Sequence, residues 1–340
     1  MRKLNVVLAG CGSISKAWLD AAIGIPEIEI VGLVDIQAQA AQTRAGEYQL
    51  HDALVETDLD RALDRLAPDI VFDCTVPTAH IGVTLEALRH GCHVFGEKPL
   101  ADTLDHAQRM VEAAQSSGKI YAVMQNRRYD PNIRAIRSTL ETGAIGPLTM
   151  VNSDFYIGAH IGGFRDHMEH VLLLDMAIHT FDAARFLMQA DPVSVYCREW
   201  NPSGSWYDHD ASAIAIFEMN NGSVYTYRGS WCAEGLPTPW ESDWRIIGQR
   251  GSLKWSGQDI IAQRVASADG FQSTFENVKV EVTPTGESRS WHAHAIHDFI
   301  QCLNTGVTPQ TICTDNIKSL AMVLSAIESA NTGKTVKVEW

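Results

Sequence analysis

"VVLAGCGSIS", Val6 to Ser15, joins a short apolar β-type run to the start of a helical one through two glycines spaced G-x-G. A strand that ends this way presents the N-terminus of the next helix, where unclaimed backbone N–H groups and the helix dipole attract an anion such as pyrophosphate. Gly10 reads as the sharp turn, Gly12 as the point where a phosphate approaches bare backbone, and Ser15 stands where a third glycine is common. A ligand-free strand-to-helix turn could carry the same letters. Context narrows the choice, because Asp35 ends the next strand about 20 residues on, where a carboxylate accepts hydrogen bonds from an adenosine ribose. No arginine directly follows Asp35, so a 2′-phosphate would face that carboxylate and NAD is expected over NADP.

Outward from this loop, short β-rich runs at Asn5–Ala9, Ile28–Val34, Ile70–Cys74, His93–Gly96 and Ile120–Met124 alternate with amphipathic helical stretches, and Gly91 and Gly118 stand as helix stops. The pattern predicts an N-terminal Rossmann domain, a doubly wound parallel sheet, over residues 1–124. After Met124 the style changes. Helical stretches at Asn132–Thr142 and Leu172–Met188 precede alternating β patterns at Ser212–Glu218, Ser223–Ser230 and Trp244–Ile247. Helical periodicity returns at Trp291–Asn304 and Asp315–Ala330, and Thr335–Glu339 reads as a last strand. Residues 125–340 are therefore expected to form a C-terminal α/β domain with a large, mostly antiparallel open sheet. With no Pro/Gly/Ser linker in sight, the junction near residue 125 is expected to be tight.

Composition bounds the partners. With 340 residues, 45% apolar and 20% charged, the chain has core enough for two domains. A formal net charge of -14 argues against nucleic acid or an anionic membrane and for a small ligand. No apolar run approaches a membrane span. The seven cysteines are scattered without a CxxC pair, which points to a reducing cytoplasm. "MRKLNVVLAGC" mimics a lipoprotein signal, but its apolar core, Val6 to Ala9, is too short for one.

A second stretch carries chemistry. "VLLLDMAIHTFDAARFL", Val171 to Leu187, is an apolar helix with Asp175 and His179 four residues apart, hence on one face. Burying a carboxylate and an imidazole must be compensated, by a ligand or by internal bonding. The histidines of "DHMEH" (Asp166–His170) and "WHAHAIH" (Trp291–His297) lack a zinc spacing, and no metal is expected. Of Trp200, Trp206, Trp231 and Trp240, the pair Trp206 and Trp231 is the better choice for stacking on a sugar ring, with His160 and Arg127 as further pocket residues.

"GEKPLA" (Gly96–Ala101) resembles the EKP signature of the Gfo/Idh/MocA oxidoreductases, and "QNRRYDP" (Gln125–Pro131), "LLLDMAIHTFD" (Leu172–Asp182) and "WRIIGQRGSLKW" (Trp244–Trp255) resemble that family in the same order. The resemblance spans essentially the whole chain. It implies NAD(P)-dependent oxidation or reduction of sugars, cyclitols and related polyols, with Lys98, Asp175 and His179 as the catalytic set and a cis Lys98–Pro99 bond. His179 is suited to take the alcohol proton, Asp175 to hold substrate hydroxyls or orient the imidazole, and Lys98 to bond the reacting oxygen. The expected cofactor contacts are Gly10, Gly12, Ser13, Ile14, Asp35, Thr75, Glu97 and Lys98. Substrate contacts are expected from Lys98, Arg127, His160, Asp175, His179, Trp206 and Trp231, in a homodimer or homotetramer. Two other readings of the same fold stay open: an NAD-dependent glycoside hydrolase and a non-catalytic nucleotide-sensing regulator, the latter disfavoured by the presence of Lys98, Asp175 and His179 together.

Overall fold

Strand β1 (Leu4–Ala9) is buried from Val6 to Ala9, as expected of a parallel strand covered on both faces by helices. Around it lie β2 (Ile28–Val34), β3 (Leu54–Glu56), β4 (Ile70–Asp73), β5 (His93–Gly96) and β6 (Tyr121–Val123), all parallel, in the order β3-β2-β1-β4-β5-β6. The computed structural model describes residues 3–283 and 291–340, so Met1 and Arg2 of the signal-like stretch lie outside the described residues. The crossovers are α1 (Ile14–Ala22), α2 (Ala38–Glu47), α3 (Leu59–Leu66), α4 (His80–Arg89) and α5 (Leu104–Ser117). Local chemistry sets their ends. Asp58 and Thr103 accept hydrogen bonds from the first-turn N–H groups of Arg61 and His106, and Gly118 closes α5 in the left-handed region. Because β1 lies between β2 and β4, the chain leaves its carboxyl end at the point where the strand order reverses, where open α/β sheets bind ligands. The three-residue edge strand β3 was not visible in the sequence.

The second sheet has nine strands, β7 (Leu148–Tyr156), β8 (Pro192–Trp200), β9 (Ser212–Met219), β10 (Val224–Ser230), β11 (Asp243–Gly248), β12 (Gly251–Trp255), β13 (Ile261–Ser267), β14 (Thr274–Val278) and β15 (Val336–Lys337). They run β14-β13-β12-β11-β7-β10-β9-β8-β15, antiparallel throughout except for the β10–β7 pair. The inner face packs Phe155, Phe217, Tyr225, Tyr227 and Trp244 into a dry core, into which α7 (Ile178–Met188) inserts Phe181 edge-on to Phe217 and Tyr227. The helix α6 (Pro131–Glu141) packs beside α7. On the outer face Met150, Tyr196, Ile214 and Ile216 are exposed, and Arg228 pairs across strands with Asp154.

Of the described residues, those up to Asn126 cluster with Trp291–Leu320, and Arg127–Thr283 cluster with Ala321–Trp340. The sequence reading put the whole of 125–340 in one domain; α8 (Trp291–Thr305) instead belongs to the first unit. The reason is packing: Phe299 stacks on Phe95 of β5 at 4.7 Å between ring centroids, and the Val123 N–H donates to the Thr311 carbonyl at 3.0 Å. The helix α9 (Cys313–Thr332) contributes residues to both units. A further difference lies at Leu172–Met188, read as one α-helix: Leu172–Ala177 is a π-helical turn and α7 begins only at Ile178. Such turns are frequent at functional sites.

Candidate active site

In the first unit, Gly10 has φ +88°, and a Cβ there would sit 2.7 Å from the Cys74 carbonyl and the Thr75 nitrogen. Those atoms are backbone and cannot yield, so only glycine fits. Gly12 is the opposite case. A Cβ there would meet nothing within 4 Å, leaving open space above the loop. Ser13 and Ile14 are exposed at the start of α1, whose N-terminus no side chain caps. The Ser15 and Lys16 N–H groups donate to the Gly12 and Ser13 carbonyls, at 3.3 and 3.2 Å, so it is the amides of Ser13 and Ile14, ahead of them, that are placed to meet an anion. Ser15, in place of a third glycine, is buried and donates its hydroxyl to the Gly12 carbonyl at 2.6 Å, so the departure tightens the turn.

The Asp35 carboxylate accepts from the Cys11 N–H and from the Gln37 N–H, both at 2.8 Å, which fixes it at the end of β2 beside the loop. Thr75 donates both its N–H and its hydroxyl to Asp73, at 3.0 and 2.5 Å, and the other Asp73 oxygen meets buried His80 at 2.8 Å. Burial opposes a charge on His80, but the Asp73 carboxylate outweighs it and holds the imidazole above its usual pKa. Sequence reasoning missed this pair, although "DCTVPTAH" contains both residues. It also missed Arg44 of α2, which is 7% exposed and donates to the carbonyls of Cys11 and Gly12 at 3.2 and 2.9 Å.

At the end of β5 the Lys98–Pro99 peptide is cis, as the resemblance implies, and Lys98 is half-buried. Glu97 turns inward, accepting from the Trp18 indole at 2.7 Å and from the Lys98 N–H at 3.1 Å, with His292 3.8 Å away. Burial works against its charge, yet the nearby His292 imidazole, the Trp18 hydrogen bond and the Lys98 charge together keep its carboxyl below the usual range.

In the second unit, Asp175 lies in the π-helical turn, 8% exposed, and half-buried His179 lies in the first turn of α7. Arg165, ten residues upstream in the short 3₁₀ turn Gly163–His167, donates Nε to Asp175 Oδ2 at 2.5 Å and stands over the Phe164 ring. No periodicity marks such a partner. Behind the pair, Arg128 makes a bidentate ion pair with fully buried Asp182, both bonds 2.7 Å, which locks α7 in place. Of the expected substrate contacts, His160 stacks on Trp206 at 3.7 Å and pairs with Glu234 at 2.8 Å, both exposed side chains. Arg127 is buried and bonded to Glu241 at 2.7 Å. Trp231 is enclosed at 1% exposure, edge-on to Phe155, because the alternation of β10 runs on through it toward the inner face. The tempting histidines also have carboxylate neighbours: His167 with Asp208 and His170 with Glu199, each at 2.6 Å.

A loop of this geometry at the switch point of a parallel sheet defines a nucleotide-binding α/β protein. The model of an oxidoreductase family with an NAD-binding Rossmann fold, Gfo/Idh/MocA, matches residues 4–125, and that of the GFO/IDH/MocA C-terminal domain matches residues 133–254. An uncharacterized protein of Sinorhizobium fredii is 30% identical, with 98% of this chain and 96% of that protein covered. The 1,5-anhydro-D-fructose reductase of Ensifer adhaerens is 24% identical over 98% of each chain. A crystal structure of an oxidoreductase from Agrobacterium radiobacter in complex with NAD+, L-tartaric acid and magnesium superposes with a TM-score of 0.86 at 22% identity, covering 99% of this chain and 98% of that one. The chain belongs to the Gfo/Idh/MocA oxidoreductase family, and its first unit is the NAD-binding domain.

Proposed function

We propose that the protein is an NAD-dependent dehydrogenase or reductase that acts on a secondary alcohol or ketone of a sugar, cyclitol or related polyol. The observation that carries this reading is the pairing of Asp175 and His179 on one helical segment, with the carboxylate held by Arg165, in a chain whose other unit binds NAD. NAD, when bound, supplies the hydride acceptor. The open space at Gly12, the uncapped start of α1 and the fixed Asp35 carboxylate suit its pyrophosphate and adenosine ribose. His179 takes the hydroxyl proton as the carbinol carbon gives up hydride, so alcohol becomes ketone. Asp175, held in place by Arg165, accepts hydrogen bonds from neighbouring hydroxyls.

The relative from Ensifer adhaerens, a reductase of a sugar ketone by name, supports the substrate class. The exposed apolar row on the outer face of the second sheet supports a homodimer or homotetramer. Among the described residues no helix is long and apolar enough to cross a membrane. All seven cysteines are free, which favours the cytoplasm. The test is an NAD+ reduction screen over inositols, aldoses and anhydrosugars, with glycosides assayed alongside for release of free sugar. NADH formed with at least one polyol supports the reading; a free sugar released from a glycoside without net NADH would replace it with glycoside hydrolysis.

A further inference from the structure

The structure assigns Arg44 a role in NAD binding: a buried positioning residue that holds the phosphate loop in its anion-binding form through two backbone carbonyls. Arg44 sits in the last turn of α2 at 7% exposure. A cation that deep costs desolvation energy, and an apolar side chain of similar volume would pack a helix against a loop at least as well. What it touches is specific. Nη2 donates to the carbonyl oxygens of Cys11 and Gly12, at 3.2 and 2.9 Å, while Nη1 meets Glu47 at 2.5 Å. Among the described residues its Nε has no hydrogen-bond partner, so the loop carbonyls and Glu47 are the acceptors that its guanidinium finds.

A trans peptide carries its C=O and N–H on opposite sides. Drawing the Cys11 carbonyl toward Arg44 therefore turns the Gly12 N–H away from it, and drawing in the Gly12 carbonyl does the same for the Ser13 N–H. Those two amides stand at the loop crest, next to the space that a Gly12 side chain would leave open. Successive N–H groups oriented alike form an anion-binding concavity, and a cation bonded to their carbonyls both fixes and polarises it. The helix that follows the loop is tied to the end of α2 as well, since the Tyr48 hydroxyl donates to Asp20 of α1 at 2.7 Å and Glu47 lies 3.5 Å from Lys16 of α1. The sequence offered no hint, because Arg44 lies nine residues beyond Asp35, where no phosphate motif looks for it.

The test is a set of binding titrations with NAD+, ADP-ribose and adenosine on the native protein, Arg44→Met and Arg44→Lys, read by ligand-observed NMR without any turnover. Loss of a charge-assisted contact of this kind corresponds to about 10-fold in affinity. Arg44→Met should weaken NAD+ and ADP-ribose by about that factor and leave adenosine, which has no phosphate, within about 2-fold of the native protein. Arg44→Lys should recover part of the loss, since it keeps the charge without the fork, and this variant carries the test alone should the methionine variant not fold. Equal weakening of all three ligands, or no weakening of the pyrophosphate pair, would overturn the assignment. A native protein that binds none of the three would instead refute NAD binding itself.

Discussion

The nucleotide loop of the first unit is formed mostly by neighbours in sequence that offer backbone groups, whereas the acid–histidine segment of the second is held by side chains from other turns and helices. Gly10, Gly12 and Ser15 lie within six residues, and what matters at Gly10 is a conformation and a clearance that only glycine allows. Asp175 and His179 are close in sequence, but the groups that hold them are not: Arg165 arrives from a 3₁₀ turn, and α7 is fixed by an arginine 54 residues from its partner, Arg128 on Asp182. A backbone site should therefore fail through single glycines, and a side-chain site through its supporting ion pairs.

The largest expected effect is on chemistry. His179→Ala should lower kcat by roughly 10²- to 10⁴-fold, the usual worth of a positioned base, while NAD+ affinity measured by calorimetry stays unchanged. An intact rate with a lowered Tm would make the histidine structural. Next is Asp182→Ala, which leaves buried Arg128 without its bidentate partner and should cost about 3–5 kcal/mol in urea unfolding. A loss under about 1 kcal/mol would mean that α7 is held by packing alone.

Gly10→Ala should cost about 1–3 kcal/mol of stability, through backbone strain and the clash with Cys74 and Thr75, and weaken NAD+ as well. Gly12→Ala sharpens the contrast. Its methyl group enters open space, so Tm should hold while NAD+ affinity falls; a fall in Tm with unchanged affinity would reverse the roles given to the two glycines.

The smallest effect concerns pH. A hydrogen bond that the His170 ring donates to the Glu199 carboxylate, helped by the charges of Glu169 and Asp210, holds the imidazole above its ordinary pKa of 6.5, against the effect of burial. A raised pKa means that its contribution to stability is complete below the ordinary value and is lost as pH climbs through the raised one. Because the group is half-exposed, screening limits the effect to a Tm drop of roughly 1–2 °C. His170→Asn tolerates the φ of +53° at this position and should flatten that part of the Tm profile. An unchanged profile would show that His170 does not titrate there.

The same contrast explains what the sequence made legible. The first strand, the glycine loop and Asp35 could be read because strand period, turn chemistry and a spacing of about 20 residues all act locally. Asp175 and His179 could be read because helical spacing puts them on one face, but the π turn beneath Asp175 could not, nor could Arg165 or Arg44, whose partners are set by tertiary packing. Trp231 shows how strand period and composition can point different ways. Its glycine and serine neighbours resembled a pocket rim, while the continuing β alternation buried it beside Phe155. The helix α8 carries no mark of the unit it joins, because the stacking of Phe299 on Phe95 links residues 204 positions apart.

Hydride transfer is the central claim, and isotope transfer tests it most directly. A polyol that supports NADH formation is supplied with deuterium at its carbinol carbon, and the coenzyme product is weighed by mass spectrometry. NADH that carries the deuterium, with an unlabelled ketone beside it, is the predicted result; NADH without the label would contradict it.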